Sequence, residues 1–129
     1  MADRFWVGGS GNWSDDDNHW ATSTGGAPAN GNIPTASDNA IFDVLSNLTA
    51  YTVTIDSSAV CLDLNFSAAP AAGTITWAGS AAMVISGSVT LLSGMTRTYS
   101  GSVTFNSTAA GRTLTFNGVV WGSHTDFNG

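Results

Sequence analysis

The feature that most constrains this chain is a two-residue beat that never lengthens into a helical one. In YTVTID, Tyr51, Val53 and Ile55 alternate with Thr52, Thr54 and Asp56, giving an extended strand one apolar face and one polar face. VCLDLNF reads the same way, with Val60, Leu62, Leu64 and Phe66 opposite Cys61, Asp63 and Asn65. GTITW sets Ile75 beside Trp77, and RTLTF sets Leu114 beside Phe116. Composition points in the same direction. Lys, Glu and Gln, all strong helix formers, are absent. The polar positions go instead to Thr, Ser, Asn and Gly, which favour strands and turns. The expectation is an all-β fold.

At 129 residues the chain has the length of a single domain. It divides into a Trp/Gly/Asp-rich opening and a Gly/Pro/Ala loop over residues 1–36, and short strands over 37–129. The strands echo one another. ISGSVTLLSG at 85–94 returns as YSGSVTFNST at 99–108, and SAAPAAGTITWAG at 67–79 returns as STAAGRTLTFNG at 107–118. Thr-x-Thr pairs fall at 52/54, 74/76, 96/98 and 113/115, the first two steps being 22 residues and the third 17. A unit of roughly 20 residues with two or three short strands is one rung of a β-solenoid, too thin to bury its apolar face except against its neighbours. The expected fold is therefore a right-handed, single-stranded β-solenoid (β-helix) with an irregular, Trp-rich N-terminal cap. The alternative is a β-sandwich, which uses similar strands without the echoes.

Charge narrows the partners. Three arginines against nine aspartates leave a net charge of −6, which argues against nucleic acid and against anionic membrane surfaces. No apolar run approaches the ~20 residues that span a bilayer. MADRFWVGG carries no export-type apolar segment, so assembly in the cytoplasm is expected, and the single Cys61 offers no intramolecular disulfide framework.

The opening, RFWVGGSGNWSDDDNHW, spaces Trp6, Trp13 and Trp20 seven residues apart around a Gly/Ser run and three aspartates. Exposed tryptophans stack on sugar rings, which makes Trp13 and Trp20 candidate contacts for a glycan or partner. Tryptophans also fill cores, and a solenoid needs its first rung covered against edge-to-edge pairing. Position favours the plug: Trp6, Trp13 and Trp20, with Asp38 and Phe42 at the first strand, form the expected cap, with Asp15 to Asp17 in water.

MADRFWVGGSGNW, the second Trp turn, the proline, SDNAIFD, the TVTID strand and CLDLNF resemble the start of phage- and prophage-encoded β-helical virion proteins. The same pattern is similar to caps that precede right-handed β-helices in large bacterial adhesins. The resemblance implies a non-enzymatic virion protein: a fibre, a tail-associated adhesin or a capsid decoration. It would be assembled in the host cytoplasm, contact other virion proteins and a host surface glycan, and associate with itself, as a trimer in the manner of symmetric fibres. It carries over no catalytic residue.

Other chemistry is thin. Asp15, Asp16 and Asp17 with Asn18 lack the spacing of a calcium loop. A turn in which one aspartate caps the amides of residues 18–20 is expected instead. Asp56 and Asp63 are the pair that could flank a groove in a polysaccharide depolymerase; Asp38 and Asp43 are scattered. His19 reads as a hydrogen-bonded cap residue, and His19 with His124 are too few for a metal site. Cys61 reads as a small inert residue within a strand. Asn47-Leu48-Thr49 has the form of a glycosylation acceptor. The Thr-x-Thr pairs suggest an ice-binding array, which Arg97, between Thr96 and Thr98, would interrupt. No metal, cofactor or catalytic residue is expected. The alternative functions are a carbohydrate-binding adhesin module and a fragment of a β-helical depolymerase.

Overall fold

A computed structural model describes residues 2–107, 109–122 and 125–127. In chain order the elements are β1 (Ala2–Trp6), β2 (Gly11–Asn12), a single helical turn α1 (Asp16–His19), β3 (Trp20–Ala21), β4 (Asp38–Phe42), β5 (Tyr51–Ile55), β6 (Ala59–Cys61) and β7 (Leu64–Phe66). They continue through β8 (Ile75–Gly79), β9 (Met83–Ile85), β10 (Val89–Thr90), β11 (Thr96–Arg97), β12 (Val103–Phe105), β13 (Leu114–Thr115) and β14 (Thr125–Phe127).

These strands stack into three sheets, ordered β13-β10-β7-β4-β1-β3, β11-β8-β5-β2 and β14-β12-β9-β6. Every pairing is parallel except that of β1 with β3. Each pass of the chain visits the three sheets in turn, as in β4-β5-β6 and β7-β8-β9. The molecule is thus a β-solenoid of about four turns. Parallel strands that cannot be joined by hairpins are connected here by the coil itself.

The alternation sorts the side chains as expected in β5 and β8, where Tyr51, Val53, Ile55, Ile75 and Trp77 point inward and are buried, and β4 does the same with Ala40 and Phe42. It fails across VCLDLNF. The buried residues are Ala59 and Cys61 in β6, then Leu64 and Phe66 in β7, while Val60 and Leu62 are only half-buried. The run is two strands separated by a corner, and the corner shifts the phase by one residue. A change of side at a corner moves every later residue to the other face, just as a register slip does.

The register also revises the repeat. Ala40, Leu64, Val89 and Leu114 stack, as do Val53, Trp77 and Arg97, so one turn takes 20–25 residues. The two SGSVT segments are not successive rungs: Val89 pairs with Leu64 in one sheet and Val103 with Met83 in another, within a single turn. They are a corner motif used twice. At both corners the glycine is required by close approach, since a Cβ on Gly87 would meet the Leu62 carbonyl and one on Gly101 the Ala81 carbonyl. The Thr pairs do not stack pair on pair either. Thr52 lies on Thr76 and Thr76 on Thr96, while Thr115 lies on Thr90 in a different sheet. Arg97 occupies the inward position over Trp77, so it does not interrupt the outward Thr column.

Sheet structure begins earlier than residue 37. β1 runs parallel to β4, and β2 parallel to β5, so the Trp-rich opening supplies strands to the coil as well as covering it. The loop from Thr22 to Ser37 is irregular. It is held by Arg4 Nη1–H donating to Asn32 Oδ1 (3.1 Å) and the Ala29 amide donating to the Trp20 carbonyl (3.1 Å).

Candidate functional surfaces: one sealed end and one open end

Trp6, Trp13 and Trp20 are 0, 1 and 0 % exposed. They meet edge-on, with ring centroids 5.2 Å apart for Trp6–Trp20 and 4.8 Å for Trp13–Trp20. All three rest on Phe42, which stacks on Phe66 of the next turn at 4.5 Å. Edge-to-face contacts of this kind add to the large apolar area that each ring buries. Two of the indole N–H groups are satisfied locally, Trp6 Nε1 by the Gly9 carbonyl (2.7 Å) and Trp20 Nε1 by the Trp13 carbonyl (2.8 Å). The seven-residue spacing therefore carries a backbone partner as well as a ring contact. Trp13 and Trp20, the candidate glycan contacts, leave no ring face on which a sugar can stack.

His19 completes this end. Its imidazole lies flat on Trp6, with centroids 4.4 Å apart and planes 3° apart, and Nδ1 is 2.7 Å from the Val7 carbonyl. A carbonyl only accepts, so Nδ1 carries the proton. The Val7 amide donates in return to the His19 carbonyl (2.9 Å). The ring fits because residue 11 is glycine: a Cβ there would collide with Nε2. His124, the other histidine, lies outside the described residues.

The aspartates work as staples. Asp15 precedes α1 but makes no side-chain cap bond; its carboxylate accepts instead from Asn18 Nδ2 (2.9 and 3.1 Å). Asp16 accepts the Gly31 amide (2.8 Å) and so pins the loop, while Asp17 is exposed. The expected capping of residues 18–20 by an aspartate side chain does not occur. Asp38 is buried and accepts from both the amide and the hydroxyl of Thr35 (3.0 and 2.8 Å), with Arg4 Nε 3.7 Å away. Burial works to raise its pKa, but the Thr35 hydrogen bonds and the Arg4 charge outweigh it and hold the carboxyl below its ordinary value. Asp56 behaves alike: desolvation opposes ionisation, and hydrogen bonds from the hydroxyl and amide of Ser14 bring the net shift down.

Asp56 and Asp63 do not share a set of partners. Asp56 is committed to Ser14, whereas Asp63 accepts the Ser88 amide (2.7 Å) and faces Arg112 at 3.8 Å. Among the described residues no three His, Cys, Asp or Glu side chains converge on a metal-sized site. Cys61 is wholly buried, and burial, followed by the nearby Asp63 charge, pushes its thiol pKa well up. Asn47 Nδ2 donates to the carbonyl and hydroxyl of its own Thr49 (3.1 and 3.0 Å). Among the described residues no helix is long and apolar enough to cross a membrane.

The opposite end differs in kind. β13, β11 and β14 are the outer strands of the three sheets there. Leu114, Val120 and Phe127 are 39, 80 and 74 % exposed. Phe127 stacks on Phe105 at 5.2 Å, and Trp121 lies against Phe105, Phe116 and Trp77. Beside them is a recess of about 260 Å³ whose lining includes Phe105, Leu114, Phe127, Ser107 and Arg112. Alternation alone assigns Leu114 and Phe116 to a buried face. Whether such a face is covered depends on what stacks over it.

The fold and its two ends define a β-solenoid with a Trp-rich aromatic cluster at one end. Comparison with protein-family models, with curated proteins and with solved structures finds no significant match in any of the three.

Proposed function

We propose that this chain is a non-enzymatic structural protein of a bacteriophage particle, acting through assembly and surface contact as a fibre, tail-associated or decoration component. The observation that carries this reading is the contrast between its ends. One end spends three tryptophans, a histidine and an antiparallel strand on closure, and the last described turn leaves Leu114, Val120 and Phe127 exposed. Such an arrangement suits a module that terminates a stack on one side and joins something on the other. Symmetric self-association and contacts with other particle proteins belong to the same proposal, as does contact with a host surface glycan. The resemblance of the opening motif to virion proteins supplies the setting. Mass spectrometry of particles purified through a density gradient tests it. The chain is expected to co-purify at a fixed ratio to the major particle proteins. Its absence from particles, or release of oligosaccharides from host capsule by the purified protein, overturns the proposal.

The recess favours one second reading, a carbohydrate-binding module. It combines an exposed aromatic ring, Phe127, with the guanidinium of Arg112 and the hydroxyl of Ser107. Glycan-array binding that disappears in Phe127→Ala, with the fold intact, would select it.

A further inference from the structure

The sequence holds three Asn-Gly pairs, at 30–31, 117–118 and 128–129. In such a pair the glycine nitrogen can attack the asparagine's own side-chain carbonyl and close a five-membered ring, because the glycine has no Cβ to stand in the way. The fold treats the pairs differently. Asn117 is tied down, its Nδ2 donating to the Leu91 carbonyl (2.7 Å) of the neighbouring turn. Asn128 and Gly129 lie outside the described residues. Asn30 is exposed, and its side chain makes no hydrogen bond among the described residues. Asn30 and Gly31 are the central residues of a turn closed by the Asn32 amide donating to the Ala29 carbonyl (3.3 Å). A Cβ at Gly31 would meet nothing within 4 Å, so nothing crowds the turn there. The Gly31 N–H donates to Asp16 Oδ2 (2.8 Å).

To act as a nucleophile the Gly31 nitrogen must lose its proton, and that proton already points at a carboxylate. From the unpartnered Asn30 side chain, the open turn and the Asp16–Gly31 contact, we infer that Asn30–Gly31 is a self-modification site, with Asp16 as its base, whose reaction loosens the loop over the cap. The Gly31 nitrogen attacks Asn30 Cγ and passes its proton to Asp16 Oδ2. The Cγ–Nδ2 bond breaks, and Nδ2 carries that proton away as ammonia. Water then opens the cyclic imide at either carbonyl, leaving aspartate or isoaspartate at position 30. One water is consumed and one ammonia is released, with no oxidant or metal. The imide has no N–H at residue 31, so the bond to Asp16 is lost as the ring closes. Hydrolysis then sets a new carboxylate on the turn that Asp16 held, where like charges repel. The isoaspartate product also lengthens the main chain by one methylene. The Arg4–Asn32 and Ala29–Trp20 hydrogen bonds are left to hold the loop. All the reacting groups lie within residues 16–31, so the chemistry needs neither the last turn nor a partner.

Peptide mapping by mass spectrometry, on the full chain held folded at mildly alkaline pH, tests it. Asn30 is expected to undergo the amide-to-acid mass change at least about fivefold faster than Asn117, a margin of the size that one retained hydrogen bond supplies. Isoaspartyl methyltransferase should label the peptide that carries residue 30. Asp16→Asn keeps an oxygen for the Gly31 amide but cannot take up its proton, so conversion of Asn30 should slow severalfold. Asn30→Gln keeps a side-chain amide but would have to close a larger ring, and it should stay unconverted. Position 30 is exposed, so circular dichroism of that variant should match the wild type. Proteinase K should cut the wild type within residues 22–37 in step with conversion, and should spare Asn30→Gln aged in the same way. Asn30 that survives while Asn117 converts overturns the inference, as does Asp16→Asn converting as fast as the wild type or faster. Conversion that leaves the loop as resistant as before overturns it too.

Discussion

Asp63 illustrates how single side chains hold a coil with few long strands. At one corner of each turn a polar side chain accepts the backbone amide of the equivalent residue one turn on. Asn39 Oδ1 accepts the Asp63 amide (3.3 Å), Asp63 Oδ1 accepts the Ser88 amide (2.7 Å), and Ser88 Oγ accepts the Thr113 amide (3.1 Å). The corner interrupts the strand ladder, and this column supplies the acceptors that backbone carbonyls do not. Asp63→Ala should therefore destabilise the protein by about 1–3 kcal/mol in urea unfolding, by leaving the Ser88 amide unpaired. Asp63→Asn, which keeps an acceptor oxygen, should cost less. Equal losses for the two would show that the Arg112 ion pair is the source instead. The column is present in the sequence as Asn-Ala, Asp-Leu, Ser-Val and Thr-Leu at 39, 63, 88 and 113. It is hard to see there because the acceptor changes type at every turn. Cys61, one corner strand away, provides a second check at this scale. With its thiol buried and its pKa raised, it should resist alkylation in the native protein and react fully in urea. Native labelling at the unfolded rate would mean that β6 does not pack as described.

The cap is the element in which local sequence and final structure agree best. The regular tryptophan spacing, the glycines and the adjoining strands are enough to read a plug, and the rings are buried as that reading requires. What the sequence hides is how the plug is tied down. Nothing about His19 marks it as a ring that stacks on Trp6, and nothing about Gly11 marks it as the space for that ring. Gly11→Ala should therefore destabilise by about 1–3 kcal/mol, the cost of overpacking a site with no slack. Trp20→Ala should cost about 3–5 kcal/mol through the cavity it leaves. The cap should also respond to acid. Asp38 and Asp56 both have carboxyl pKa values below the ordinary one. Groups of this kind contribute stability that is complete above the unfolded carboxyl pKa of about 3.9 and is lost as pH falls through the folded values. Thermal unfolding followed by tryptophan fluorescence should therefore show a midpoint that is flat near neutrality and drops below about pH 4. Asp56→Asn should have a lower midpoint at pH 7 and a shallower acid drop. An acid drop as steep as in the wild type would move the source away from the Ser14–Asp56 contact.

For the whole molecule, the fold class follows from alternation and from the absence of helix formers, because both act on every strand at once. Phase does not follow, because corners reset it. Leu62 and Cys61 exchange faces, and the SGSVT echo marks two corners of one turn instead of two turns. A stack in which each rung touches only its neighbours has a stability set by rung strength and by the contacts between rungs. Its ends are then the places where it opens. Here the ends are unequal. The first turns lie under the tryptophan cluster, and a continuous line of rings runs from Trp6 through Phe42 and Phe66 to Trp77 and Tyr99. The Tyr99 hydroxyl, with its pKa raised to about 12 mainly by burial, donates to the Ala81 carbonyl (2.6 Å) and fastens the turn of β10–β12 to that of β7–β9. Beyond it, both residues of β13 are exposed and have a neighbour on one side only. Hydrogen exchange should therefore fall off along the axis from one end. Amides of β4, β5, β7 and β8 should exchange only by global unfolding, those of β10 and β12 sooner, and those of β13 by local fraying. A gradient running the other way, with β1 and β3 opening first, would show that the tryptophans do not seal the end they occupy.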